Sequence, residues 1–288
     1  MIMMIVLSTG PVWAQGSTPQ PAADSPTSMW HDEWPQFGAL EGFLTSSAVI
    51  GMLLFEVAGG PAEPRWKGGI LFDEEVRRAM RARDESTRRQ VGKAGDAIYY
   101  TFPVIPILVD SFVLSLLVRR DEKTALNLFL VSGEALAYSG ILSFVANSLA
   151  ARERPDLTAC LALEKAGAAH CANDSQSDDF YSGHTAMLSA SAGAVCANHS
   201  FMPLWGHPAA DAFACGLASA AAIATATTRL VGDRHYFSDV FVGSVVGFGI
   251  GFAVPTLLHY RAPGAGPSVT VVSGGIGAGA GLQLIGEF

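Results

Sequence analysis

Apolar blocks recur along this chain near residues 43–55, 97–118, 125–150, 185–204, 212–231 and 238–259. A helix needs about 20 predominantly apolar residues to cross the hydrocarbon of a bilayer. The second, third, fifth and sixth blocks have that length. The first is short and bounded by Glu41 and Glu56, and the fourth is broken by Asn198 and His199. Only 15% of the 288 residues are charged, where ordinary soluble domains carry about a quarter. The pattern predicts an all-α fold, an antiparallel bundle of about six apolar helices embedded in a membrane. Asp110 and Glu134 fall mid-block, where they are tolerated only facing the bundle interior. A soluble helical bundle with a very apolar core is the alternative.

The flanks read differently. Residues 1–14, "MIMMIVLSTGPVWA", resemble the apolar part of a signal peptide, with "VWA" as a small-residue cleavage site and no basic region ahead of it. Residues 15–37 are rich in Pro, Ser, Ala and Gln and read as a flexible linker. The helical domain is expected over 38–262. Within it "DEEVRRAMRARDESTRRQ", residues 73–90, reads as one charged surface helix. From 263 to 288 small and β-branched residues alternate around glycines, which predicts a β-hairpin tail. The cysteines are Cys160, Cys171, Cys196 and Cys215. In an exported protein they can pair, and three pairings are open. A net charge of −8 speaks against nucleic acid as a partner.

Three polar clusters interrupt the apolar pattern, each at a helix end. They are "ARERPD" with Arg152 and Arg154, "FYSGHTA" with Ser182, Gly183 and His184, and "TRLVGDRHYFSDV" with Arg229, His235 and Asp239. An antiparallel bundle brings such ends to one face. Arginine forks match phosphate oxygens. Gly183 admits close backbone approach at a helix start, where anions are favoured. His235 and Asp239 are four apart, so on one helical turn they would face each other. A carboxylate on one ring nitrogen leaves the other free to attack, and His184 is a second imidazole for proton transfer. Taken singly, Ser182 reads as an N-cap and Arg154 as a helix-end residue reaching for water. Two arginines would repel a cation, so the set calls for no metal or other cofactor.

Together these residues resemble the type 2 phosphatidic acid phosphatase and vanadium haloperoxidase superfamily, whose signature is K-x6-R-P, P-S-G-H and S-R-x5-H-x3-D. Arg154 and Pro155 match the first part, Ser182, Gly183 and His184 the second, and Arg229, His235 and Asp239 the third. Asn147 stands at the family Lys, Tyr181 at the Pro and Thr228 at the Ser. The resemblance to bacterial members implies a phosphatase that needs no metal. It would hydrolyse phosphate monoesters or pyrophosphates, of lipids or of small esters, through a phosphohistidine. His235 would be the nucleophile, Asp239 its orienting carboxylate and His184 the general acid. Arg154, Arg229, Ser182, Gly183 and Asn147 would hold the phosphate, with Arg152 a stand-in for the missing Lys charge. Soluble exported acid phosphatases and vanadate-dependent haloperoxidases share the signature. Asn147 also admits a degenerate, non-catalytic binder of lipid phosphate.

An inner-membrane site facing the periplasm is expected. With the leader removed, that requires the first apolar block to stay out of the bilayer. Otherwise the site moves to the cytoplasmic side, which the basic stretch 65–93 would prefer.

Overall fold

The computed structural model describes residues 28–59, 61, 63–157, 178–261, 268–276 and 279–287. The expected leader and Cys160 and Cys171 lie outside the described residues. The elements run α1 (Ala39–Ala58), α2 (Asp73–Met80), α3 (Glu85–Thr101), α4 (Ile105–Leu108), α5 (Glu122–Ala150), α6 (Gly183–Phe201), α7 (Pro208–Val231) and α8 (Phe237–Val254). π-helical turns extend α4 through Val109–Val118 and α8 through Pro255–His259. Beyond the bundle, Ser268–Ile276 and Gly279–Glu287 pair as antiparallel strands, Ser268 opposite Glu287.

Helix starts follow capping chemistry. Asp84, Asp121 and Ser182 each accept from the backbone N–H three residues on, at Thr87, Thr124 and Thr185. The Asp84 cap also explains why 73–90 is two helices and not one. Arg81 is extended, Ala82 N donates to Val231 O at 3.0 Å, and the helix restarts at Glu85. At the end of α5, Ala151 takes φ +46° and its N–H returns to Asn147 O, which turns the chain back across the helix ends.

Helix α6 is the centre of the bundle, packed by α5, α7 and α8. Its Ala, Ser and Gly residues let neighbours come close. On α8, Gly243, Gly247 and Gly251 recur every fourth residue and lie against Ser182, Ala186 and Ala190 of α6. A Cβ on Gly243 would sit 2.7 Å from Ser182 O, and on Gly247 or Gly251 it would run into the α6 backbone outright. This small-residue seam is the packing used between helices in membranes.

Among the described residues, five helical stretches are long and apolar enough to cross a membrane, at Ala39–Ala58, Glu85–Val118, Glu122–Ala150, Pro208–Val231 and Phe237–His259. Helix α6, with its Asn198 and His199, is enclosed by the others. The mid-block charges face inward. His199 bridges Asp211 at 2.7 Å and Asp110 at 3.2 Å, while Glu134 is held by His259 at 2.8 Å and by the Tyr138 hydroxyl at 2.8 Å. A disulfide joins Cys196 of α6 to Cys215 of α7.

The first block departs from expectation. It forms the 20-residue helix α1, with Phe43, Leu53, Leu54 and Val57 exposed, and by length and composition it can span. It runs parallel to α5: Phe37 N donates to Asn127, Met52 lies over Gly140 and Phe55 stacks on Phe144. Residues 28–37, read as linker, are packed instead. Trp30 is buried with Leu128, Met202 and Tyr260, and Met29 N donates to Asp121. They therefore sit at the end of the bundle opposite the three polar clusters.

Replacing Gly247 by Ala puts a methyl into the α6 backbone. We expect a loss of about 1–3 kcal/mol, the cost of overpacking a core, read as a lowered thermal midpoint in detergent. An unchanged midpoint would rule out the close seam.

Candidate active site

Local structure at the three helix ends explains their convergence. The α6–α8 seam brings the two chain starts together, so that Ser182 N donates to Asp239 O at 3.1 Å. The turn at Ala151 lays Arg152 and Glu153 beside Trp66, whose carbonyl accepts from Glu153 N at 2.9 Å. Arg152 is fully buried between the rings of Trp66 and Tyr236, 4.1 and 4.2 Å from their centroids. Its guanidinium donates to Gly68 O, Ser238 Oγ, Asp73 at 2.8 Å and Asp239 at 2.5 Å. All its nitrogens are committed to this strut, so Arg152 does not replace the family Lys in a phosphate clamp. Helix α2 braces the same region through Arg77, which donates to both oxygens of Asp233 and to Pro155 O. Burial alone would raise the Asp73 pKa, but bonds from Ile70, Arg152 and Ser238 outweigh it and hold the carboxyl below its usual range.

Arg154 forms a bidentate pair with Asp178 at 2.9 and 3.0 Å. Ser182 caps α6, its hydroxyl 3.0 Å from Thr185 Oγ1. Gly183 opens α6 against Ser143, which stands one turn before Asn147 on α5. The Asn147 Oδ1 is buried without a partner. Arg229 lies in the last turn of α7, about 1% exposed. Its Nη1 reaches Asp96 Oδ1 at 2.7 Å, and its Nε has no partner. His184 Nε2 lies 3.0 Å from the same Asp96 oxygen, with the Tyr99 ring 4.2 Å from its own. The rings of His184 and His235 are 6.5 Å apart, and both Arg229 and Arg154 act on His235 electrostatically. Burial, then these two arginines, push the His235 pKa well below the ordinary imidazole value, so the ring is neutral near pH 7.

The expected pairing of His235 with Asp239 is not formed. The helix begins only at Phe237, so the two residues do not share a turn. Asp239 caps Tyr236 N at 2.8 Å and takes Arg152. His235 Nδ1 meets residue 179 instead, at 3.1 Å from its carbonyl oxygen and 2.5 Å from Oδ1. A carbonyl only accepts, so Nδ1 carries the proton and Nε2 the lone pair.

Sequence reasoning missed Asp73, Asp96, Asp178 and Asp179. The last two adjoin the second cluster as "DDFYSGH" and were legible as neighbouring carboxylates. Asp73 and Asp96 lie on helices far upstream and carried no signal. Asp179, His235 and Asp239 form the group among the described residues whose atoms are close enough for a metal, within 4.8 Å of one another. Arg152 already supplies positive charge to Asp239 there, which disfavours a cation.

Removing the strut should be costly. Arg152→Met strands Asp73 and Asp239 in a buried setting, and breaking such pairs costs about 3–5 kcal/mol. A denaturation midpoint within error of the parent protein would contradict the strut.

A family model for the PAP2 superfamily matches residues 128–263, the span holding all three clusters. No curated protein and no solved structure matches the chain. Ordered motifs, converging helix ends and the family match agree: over residues 128–263 this chain matches the PAP2 superfamily, that of the type 2 phosphatidic acid phosphatases.

Proposed function

We propose that this protein is a bacterial phosphatase that hydrolyses phosphate monoesters or pyrophosphates, most of all of lipids, without a metal and through a phosphohistidine on His235. Superfamily members are generally phosphatases or phosphoesterases. The observation that carries the reading is the meeting of Arg154, Arg229, His184 and His235 at one end of the bundle. The 6.5 Å between the imidazole rings leaves room for one tetrahedral phosphate. His235 Nε2 attacks phosphorus in line, and His184 protonates the leaving oxygen and then activates water. Arg154, the free edge of Arg229, the Gly183 N–H and the Asn147 amide hold the equatorial oxygens, with Ser182 fixing the turn they depend on. Preorganised donors aimed at developing charge supply most of such catalysis. Exposed apolar helices around the site favour a lipid substrate reached from the bilayer.

The domain would span 38–262 with residues 263–288 as an appendage, and the site would face the periplasm from the inner membrane. Because α1 can span, an outward site puts residues 28–38 on the cytoplasmic side. A specific observation favours the opposite orientation. Lys and Arg concentrate at the site end, from Arg65 to Lys93, and positive charge stays inside. Single cysteines placed near residue 68 decide. Labelling by an impermeant reagent in intact cells means an outward site, and labelling only after lysis an inward one.

His235→Ala should abolish hydrolysis of phosphatidate and of a chromogenic phosphate ester. His184→Ala should lower kcat about 100-fold or more, as for a lost general acid. Neither loss should depend on a chelator. Parent-level activity in His235→Ala would refute the nucleophile. Bromide oxidation with vanadate in place of hydrolysis would identify a haloperoxidase, and neither activity a binder.

A further inference from the structure

We infer that Asp179 is the positioning residue of the nucleophile: its carboxyl shares one proton with Asp239 and faces His235 Nδ1, where charge forms when the ring is phosphorylated. The inference rests on the phosphatase reading above and adds to it a residue outside the three motifs.

Asp179 and Asp239 are both fully buried, and an oxygen of each lies within 4.8 Å of the other and of one His235 ring nitrogen. Asp239 is taken up by Arg152 and by its helix cap. Neither Asp179 oxygen makes a well-formed hydrogen bond, although Oδ1 lies 2.5 Å from His235 Nδ1. Two buried carboxylates at this range do not both ionise. One proton between them satisfies both, with Asp179 O–H donating to Asp239 and the other Asp179 oxygen accepting from His235 Nδ1–H.

Burial, the largest influence, pushes Asp179 up to about 8, against the pull of Asp239, Arg154 and Arg152. The charged and titratable groups facing it are those three, Asp178, Tyr236 and His235. At neutral pH the cluster is therefore Arg152⁺, one shared carboxyl proton and a neutral imidazole.

The Nε2 lone pair forms the N–P bond as the P–O bond to the leaving group breaks, and that oxygen takes its proton from His184, which takes up a proton from solvent when the phosphate anion binds beside it. The Nδ1 proton stays on the ring. The shared proton moves toward Asp239, leaving Asp179 as the anion beside the imidazolium. Hydrolysis of the N–P bond returns both protons to their places.

The test uses full-length Asp179→Asn and Asp179→Ala in detergent. Asn keeps an acceptor for Nδ1–H and a donor for Asp239, so it mimics the protonated acid. Because Asn cannot become the anion, it should lower kcat at pH 6–7, but by less than Ala, which should lose about 10–100-fold with little change in KM, as for other partners that fix a functional histidine. Ala matching the parent in kcat would overturn the inference. Melting gives a readout without activity. Asp179 is neutral in the fold and ionises when unfolded, so its stabilisation is full below about pH 4 and is lost as pH rises through about 8. The melting temperature of Asp179→Asn should therefore rise relative to the parent across pH 4–8. A difference that does not change with pH overturns the shared proton. If Ala does not fold, the Asn melting series still decides. If the parent protein hydrolyses no phosphate ester, the phosphatase reading fails, and the melting series alone judges the carboxyl pair.

Discussion

The contact between α6 and α8 sets everything at the site end. Three glycines on one face of α8 bring its backbone onto α6, close enough for Ser182 N to reach Asp239 O. That contact places the start of α6, with Gly183 and His184, beside the turn that carries His235. In a bilayer, apolar burial gives little drive for helices to associate, and close packing must supply it. Here the small residues that satisfy that demand also bring two of the three motifs together.

Charge at the site is balanced before any substrate arrives. Arg154 holds Asp178, Arg229 holds Asp96, and Arg152 holds Asp73 and Asp239. Unpaired ionic groups are expensive in such surroundings, so each guanidinium comes with its carboxylate. The pairing also orients. Asp96 takes the Nη1 side of Arg229 and leaves Nε open, so the fork presents a free edge without having to turn. The same carboxylate fixes the His184 ring. Arg152 differs from the other two, since its donors are all consumed and it acts as a joint between the 66–73 segment and the start of α8.

The bundle and the motif residues were legible because both leave local marks. Blocks of apolar residues report helices, and Arg, His and Gly stand out at their ends. The inward facing of Asp110 and Glu134 followed from the cost of charge in an apolar block, and each has a histidine partner. The rest depended on distances between residues far apart in sequence. The His235–Asp239 spacing suggested a helical pair, but the helix starts two residues too late. Arg152 and Arg154 look alike in the sequence, yet the turn at Ala151 buries one and leaves the other at the site. The short first block gained its length from Ala39 and Leu40 and from Val57 and Ala58, which flank the glutamates that seemed to bound it. Asp96 lies in a helix whose charge pattern reads as surface.

The carboxylates from α2 and α3 carry a consequence for the family signature itself. Asp73 and Asp96 both precede the segment that the family model covers. A graft of residues 128–263 onto another scaffold would carry every motif residue, yet Arg229 would lose Asp96 and Arg152 would keep Asp239 but lose Asp73. On the proposed reading the signature marks where phosphate is handled, while two of the carboxylates that pair with its arginines come from outside it. Sequences that match the motifs but differ upstream would then share the reaction and diverge in how firmly the clamp is set.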